Sequence, residues 1–288
     1  MGIFSFIKSK LTPTAPIEKR LQIPLLYTYL FLIASCNYSK PVEYYRGQNI
    51  IVHRDSIIAI NNNYISSFLQ PYHDSLTIKM SKPIVSIDTL FSNQYTTGNL
   101  GNLTADYMLE VGNNYFKNKS VNPTTHPQSI EQYCDFAVLN NGSLRNNLSP
   151  GSVTLGDVFE AMPYENILII IQLTGAQTDS LFQHIATKNG AYLANAMCTI
   201  NNNKAENIII NGSRFDSRKS YIVAINDYML VGGDGYSICK QAKPIWNTGI
   251  TVRESLIQGL QNEYNSTKSI NPRPQPRIKL MQPSNSRH

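Results

Sequence analysis

The chain's 288 residues are 42% hydrophobic, 10% aromatic and 15% charged, which is enough apolar material for one or two cored domains and excludes disorder as the main state. Four cysteines with no Cys-x-x-Cys pair exclude a disulfide scaffold and a zinc ribbon. The net charge of +6 sits at the ends: residues 1–36 carry +3 and 264–288 carry +5, leaving −2 between them and no long-range attraction for nucleic acid.

At the N-terminus, Lys8, Lys10, Lys19 and Arg20 precede an apolar run from Ile23 to Ile33, followed by Ala34-Ser35-Cys36. The run falls short of the ~20 residues a membrane-crossing helix needs and fits the apolar region of a secretory signal. Its ending, Leu32-Ile33-Ala34-Ser35-Cys36, resembles a bacterial lipoprotein signal with Cys36 as the lipidated residue. That predicts export and a membrane anchor, in the periplasm or at the cell surface; the competing reading is a buried element ending in a structural cysteine. Pro13, Pro16 and Pro24 interrupt a long leader, and a functional start near Leu21 is expected. Maturation would leave Cys134, Cys198 and Cys239, an odd number, so no essential disulfide framework is predicted.

Along the body, Tyr64, Ile65, Phe68, Leu69, Tyr72, Leu76 and Met80 recur at helical spacing, with Pro71 expected to kink or split the helix. A second helix is expected from near Asn102, ending at Gly112. Phe136–Leu139 reads as a short buried strand running into a turn at Asn140-Asn141-Gly142. Thr154-Leu-Gly-Asp157 opens a helix that Pro163 stops, and Ile167–Leu173 is a β-branched buried strand. Thr174-Gly-Ala-Gln177 is a capping box for a helix that buries Leu181, Phe182 and Ile185. Met197–Ile200, Ile208–Ile210 and Tyr221–Ile225 read as strands, and Thr251-Val-Arg-Glu254 caps a last helix. Beyond it, Pro272, Pro274 and Pro276 mark an extended, solvated tail. Helices and strands are intermixed, so the class is α/β or α+β.

Three polar segments border buried elements: Asn140–Arg145, Met162-Pro-Tyr-Glu-Asn166, and Asn226–Tyr236 with its Gly-Gly-Asp-Gly core. Singly, each is ordinary turn chemistry. In order and spacing, together with Gly101-Asn-Leu-Thr-Ala-Asp-Tyr-Met-Leu109 and Gly151-Ser-Val-Thr-Leu-Gly-Asp-Val158, they resemble the signatures of the 5′-nucleotidase C-terminal domain, the substrate-recognition domain of bacterial periplasmic 5′-nucleotidases and UDP-sugar hydrolases. The resemblance runs from about residue 55 to about 262, and implies a layered α-β-β-α fold. The expected organisation is a signal segment (1–36), a linker (37–54), the domain (55–263) and a basic proline-containing tail (264–288).

The resemblance also implies a substrate-binding set. Tyr164 and Tyr228 fall on two aromatic positions that sandwich the nucleobase, an interaction of about 1–3 kcal/mol per base that tolerates any base. Asp234 falls on the acid that accepts from ribose hydroxyls, with Gly233 and Gly235 permitting close backbone approach. Asn140 matches an amide that contacts the nucleoside, and Arg145 a guanidinium facing the ribose and phosphate. Two positions depart from the pattern: Asn141 replaces a glycine, so a left-handed turn is expected of it, and Phe91-Ser-Asn-Gln-Tyr95 lacks an arginine found there in the family.

The metallophosphoesterase domain that precedes this one in the family's two-domain enzymes holds two metals through Asp-x-His, Gly-Asp, Gly-Asn-His-Glu and Gly-His-x-His segments. The five histidines here, His53, His73, His126, His184 and His288, occur in none of those contexts, and His73 and His184 read as ordinary helix-surface residues. No catalytic residue, metal ligand or cofactor is therefore assigned to this sequence; divalent metals are expected in a partner chain. The expected function is recognition of a nucleoside monophosphate for a separate metallophosphoesterase chain, a split 5′-nucleotidase. The alternative is a non-catalytic lipoprotein that binds nucleotides or nucleosides for scavenging.

Overall fold

The computed structural model describes residues 63–94, 98–120, 132–273 and 276–281. The sequence between Leu168 and Leu173 sets the centre of the fold. Leu168 and Ile170 point into one apolar cluster, while Ile169, Ile171 and Leu173 point into another, so strand β4 (Ile167–Thr174) is buried on both faces. It lies in a five-stranded sheet of order β10-β4-β9-β2-β5, with β2 at Phe136–Leu139, β5 at Tyr192–Ala194, β9 at Ser220–Asn226 and β10 at Ile245–Thr251. Helices α2 (Asn99–Ser120) and α6 (Val252–Thr267) pack together beside one face; α2 buries Leu100, Leu103 and Met108 there. On the other face lies α4 (Gly175–Thr187), which inserts Leu181, Phe182 and Ile185.

Helix α4 also packs on a second, four-stranded sheet of order β11-β6-β7-β8, comprising β6 (Ala196–Asn201), β7 (Lys204–Ile210), β8 (Ser213–Arg214) and β11 (Ile278–Leu280). Gln183 of α4 pins this contact by pairing both ways with Ala205 of β7. Strands β1 (Pro83–Ile87) and β3 (Gly151–Thr154) form a small antiparallel pair, and α3 (Leu155–Ala161) follows β3 directly. The mixed α/β class is that of the sequence reading.

All three capping boxes form at helix starts: Thr154 with Asp157, Thr174 with Gln177 and Thr251 with Glu254 each bond reciprocally. Cys134, Cys198 and Cys239 are free and buried, and burial pushes their thiols up to about 12, 11 and 12.

Three expectations need correction. Of the two outcomes expected at Pro71, splitting does not occur: α1 runs from Asn63–Met80 with the proline inside it. Gly112 does not end α2; it lies within the helix, with the Cys134 sulfur close against it where a side chain would otherwise go. The C-terminal segment is not a solvated tail over its described part. β11 pairs in parallel with β6, Arg277 grips both carboxylate oxygens of Asp106 at 2.7 Å, and Arg273 pairs with Asp106 and Glu263. Arg273 and Arg277 of that segment neutralise Asp106 on α2 and Glu263 on α6, which no reading of local charge could match to them.

Candidate functional site

Register brings the three polar segments to one end of the five-stranded sheet. Strand β2 runs parallel to β9, with Phe136 beside Val223 and Ala137 beside Ala224, so both chains leave the sheet on the same side. Asn140 follows the end of β2, and Asn226 ends β9. Strand β4 is antiparallel to β9, with Leu168 opposite Asn226, so the Met162–Asn166 stretch enters the sheet at this same end.

Asn140 and Asn226 join these loops. Both are buried, and Asn226 Nδ2 donates to Asn140 Oδ1 at 3.0 Å. Ser143 Oγ donates to the same oxygen at 2.6 Å, and Asn226 Oδ1 caps the short helix α5 (Asp227–Leu230) by accepting from Met229 N. With its oxygen thus occupied, the Asn140 amide turns its nitrogen outward and donates to Asp234 Oδ2 at 2.7 Å. The other carboxylate oxygen of Asp234 accepts from the Tyr228 hydroxyl at 2.9 Å, while Asp234 N donates back to that hydroxyl at 3.2 Å. The hydrogen bond to Asp234 raises the Tyr228 pKa above its ordinary value, so the phenol stays a donor.

The turn that carries Asp234 depends on its glycines. Gly232 and Gly235 have positive φ, as does Asp234 itself at 51°, and a Cβ on Gly233 would overlap the Tyr228 ring. On the opposite side, Arg145 Nη2 donates to the Tyr164 hydroxyl at 2.6 Å, with the guanidinium carbon 5.3 Å from the ring centroid.

These side chains border an open cleft of about 170 Å³ lined by Asn140, Gly142, Ser143, Arg145, Tyr164, Asn166, Tyr228 and Asp234. Tyr164 and Tyr228 are 42% and 41% exposed, so both rings are open to a ligand. Residues 81–241 match the family model of the 5′-nucleotidase C-terminal domain. The chain belongs to that family.

The 5′-nucleotidase of Vibrio vulnificus is 34% identical over 142 residues, 48% of this chain and 25% of that protein. Protein UshA of Yersinia enterocolitica is 30% identical over 132 residues, 44% of this chain and 24% of that protein. The alignments thus span about a quarter of the length of these relatives. The 5′-nucleotidase precursor of Thermus thermophilus superimposes with a TM-score of 0.61 at 18% identity, covering 79% of this chain and 44% of that one. A 5′-nucleotidase of Staphylococcus aureus, described as putative, gives 0.54 at 15% identity, covering 81% and 45%. At these identities the structures share the fold.

Of the seven substrate-binding residues read from the sequence, Asn140, Arg145, Tyr164, Tyr228 and Asp234 converge on this 5′-nucleotidase C-terminal domain's cleft. Gly233 and Gly235 do not line it; they shape the turn behind Tyr228 and Asp234. Asn141 takes no left-handed turn: it sits in a 3₁₀ turn, Asn141–Ser143, with its amide nitrogen bonded to the Gly190 carbonyl. Cys36 lies outside the described residues.

Two residues escaped the sequence reading. His184 is not an ordinary surface residue of α4; its Nε2 lies 3.1 Å from the Asp234 carbonyl, and its ring meets buried Tyr236 edge-on at 4.5 Å. Arg253, passed over as part of a capping box, is 5% exposed and bonded to the Tyr164 loop. Its signal was legible: a cation in the first turn of a helix faces the positive end of the helix dipole and needs another reason to be there.

Among the described residues, no three or more His, Cys, Asp or Glu side chains are grouped so as to hold a metal ion. His73 lies 3.5 Å from neighbouring Asp74 on exposed α1, and the His184 imidazole is engaged with the Asp234 loop. The described residues do not fit a dimetal centre.

Proposed function

We propose that this chain is the nucleotide-recognition half of a split 5′-nucleotidase, presenting a nucleoside monophosphate to a separate metallophosphoesterase chain. The observation that carries this reading is the meeting of two exposed tyrosine rings, a carboxylate and a guanidinium in one cleft. The rings offer π-faces to a base, and base–aromatic stacking contributes about 1–3 kcal/mol per base. Asp234 uses one lone pair on each oxygen to accept from Asn140 and Tyr228, which leaves acceptors for sugar hydroxyls. Arg145 supplies a planar donor fork at the rim for phosphate oxygens. The chain's own residues bind and orient; two metals held by the partner chain would activate water and carry the leaving charge. Fixing the phosphate against those metals lowers the barrier through orientation alone.

In the same proposal the protein is exported and held at a membrane by a lipid on Cys36. Among the described residues no helix is long and apolar enough to cross a membrane. Mass spectrometry of the mature N-terminus tests this: a lipid-modified Cys36 is expected, and an intact Met1 in the membrane fraction removes the anchor.

The functional test is a calorimetric titration with AMP, followed by mixing with an exported chain of the same organism that carries the Asp-x-His and Gly-Asn-His-Glu motifs. Micromolar-class binding and a rise in phosphate release are expected. Absence of AMP binding overturns nucleotide recognition. Binding without any rise or complex favours the non-catalytic scavenging lipoprotein over the split enzyme.

A further inference from the structure

We propose that Arg253 is a positioning residue that fixes the backbone of the Pro163–Glu165 stretch and thereby sets Tyr164 at the rim of the cleft. The guanidinium is buried at the start of α6, and its Nη1 donates to three consecutive carbonyls: Met162 at 3.2 Å, Pro163 at 3.1 Å and Tyr164 at 3.4 Å. Its Nη2 donates to Glu165 Oε1 at 2.9 Å. The guanidinium carbon stands 3.8 Å from the centroid of the Phe159 ring, which holds the plane of the fork.

The backbone of this stretch belongs to no strand or helix. Pro163 has no N–H, and the residues fall between the end of α3 and the start of β4. Three successive carbonyls curling around one cation replace the ladder that a strand would provide. The first amide of α6 adds a further tie, since Val252 N donates to the Asn166 carbonyl at 2.8 Å. Arg253 therefore sits against the helix dipole, an unfavourable place for a cation that its four acceptors offset. A lysine offers a point charge without the fork and cannot span the same set. Arg253 does not line the cleft, so its effect on binding runs through Tyr164.

This inference rests on the nucleotide-recognition reading, and its test separates the two. Arg253→Met, Arg253→Lys and, as a control, Arg277→Met would be compared in the full chain. Arg277 is a half-buried arginine bonded to Asp106 that does not line the cleft. Calorimetry with AMP and with ribose 5-phosphate separates the base clamp from the sugar and phosphate grip. Arg253→Met should weaken AMP about tenfold or more while ribose 5-phosphate changes by less than about twofold. Arg253→Lys should fall between wild type and Arg253→Met. Arg277→Met should lower the melting temperature and leave both affinities alone. Equal loss for both ligands, or AMP binding to Arg253→Met as tight as to wild type, overturns the assignment. If wild type itself fails to bind AMP, the functional reading falls, and Arg253 is judged by amide hydrogen exchange at Tyr164, Glu165 and Asn166. Faster exchange there in Arg253→Met than in Arg277→Met upholds the positioning role; unchanged exchange ends it.

Discussion

The two tyrosines that line the cleft are held in opposite ways. Tyr228 is fixed by its own neighbours: Asp234, six residues on, bonds its hydroxyl, and Gly233 leaves room for the ring. Tyr164 is held by residues far along the chain, with Arg145 on its hydroxyl and Arg253, from another helix, on its backbone. Both rings are similarly exposed, so burial does not tell them apart. The difference lies in where the restraint comes from. A jaw restrained by a tight local turn forms with the turn, whereas a jaw restrained across the fold is only as well placed as the packing of α6 against α3 and β10.

The most damaging change expected of this pair is removal of both rings. Tyr164→Ala/Tyr228→Ala should weaken AMP binding about a hundredfold or more, at about 1–3 kcal/mol per ring, with stability nearly unchanged because both side chains are surface-exposed. Calorimetry and thermal melting measure the two effects, and equal binding by wild type and the double variant would reject the cleft as the nucleotide site.

Gly233→Ala attacks the local jaw alone. The added methyl displaces the Tyr228 ring and should cost about tenfold in AMP affinity and about 1–3 kcal/mol in stability, as overpacking typically does. Retention of full affinity would mean that the ring position is not set by the turn.

The smallest effects are expected from removing the hydroxyls. Tyr228→Phe breaks the bond to Asp234 and should cost about two- to fivefold in affinity, in line with the roughly 0.5–1.5 kcal/mol net value of a hydrogen bond. Tyr164→Phe loses only an exposed contact to Arg145 and should change affinity by less than about twofold, since exposed pairs involving a charge contribute little. If the two phenylalanine variants rank the other way, the contrast between a tied and a loosely tied jaw is wrong.

Much of the fold and of the site was legible because its signals are local. Capping boxes at Thr174 and Thr251 lie within four residues and formed as read, and the helix start read at Thr154 also proved to be one. The apolar run at Ile167–Leu173 marked the central strand because both its faces are buried. Strands such as β5 and β10 carried no such mark. β5 has only three residues, and β10 has a largely exposed alternating pattern that follows its position at the sheet edge.

By itself the sequence determined the turn chemistry of Gly232–Gly235, the identity of the two rings and the acid beside them, because spacing along the chain is enough to specify a turn and a family signature. Only the tertiary structure decided which distant groups complete them. The parallel register of β2 and β9 brings Asn140 to Asp234, the first turn of α6 delivers Arg253 to the Tyr164 loop, and α4 sets His184 on the Asp234 carbonyl. A residue's own position can mark it as unusual, as the cation in the first turn of α6 does, but it does not say which group it will meet. A buried donor is satisfied by whichever acceptor packing places within about 3 Å, and that distance is set by how whole strands and helices fit together rather than by their order in the chain.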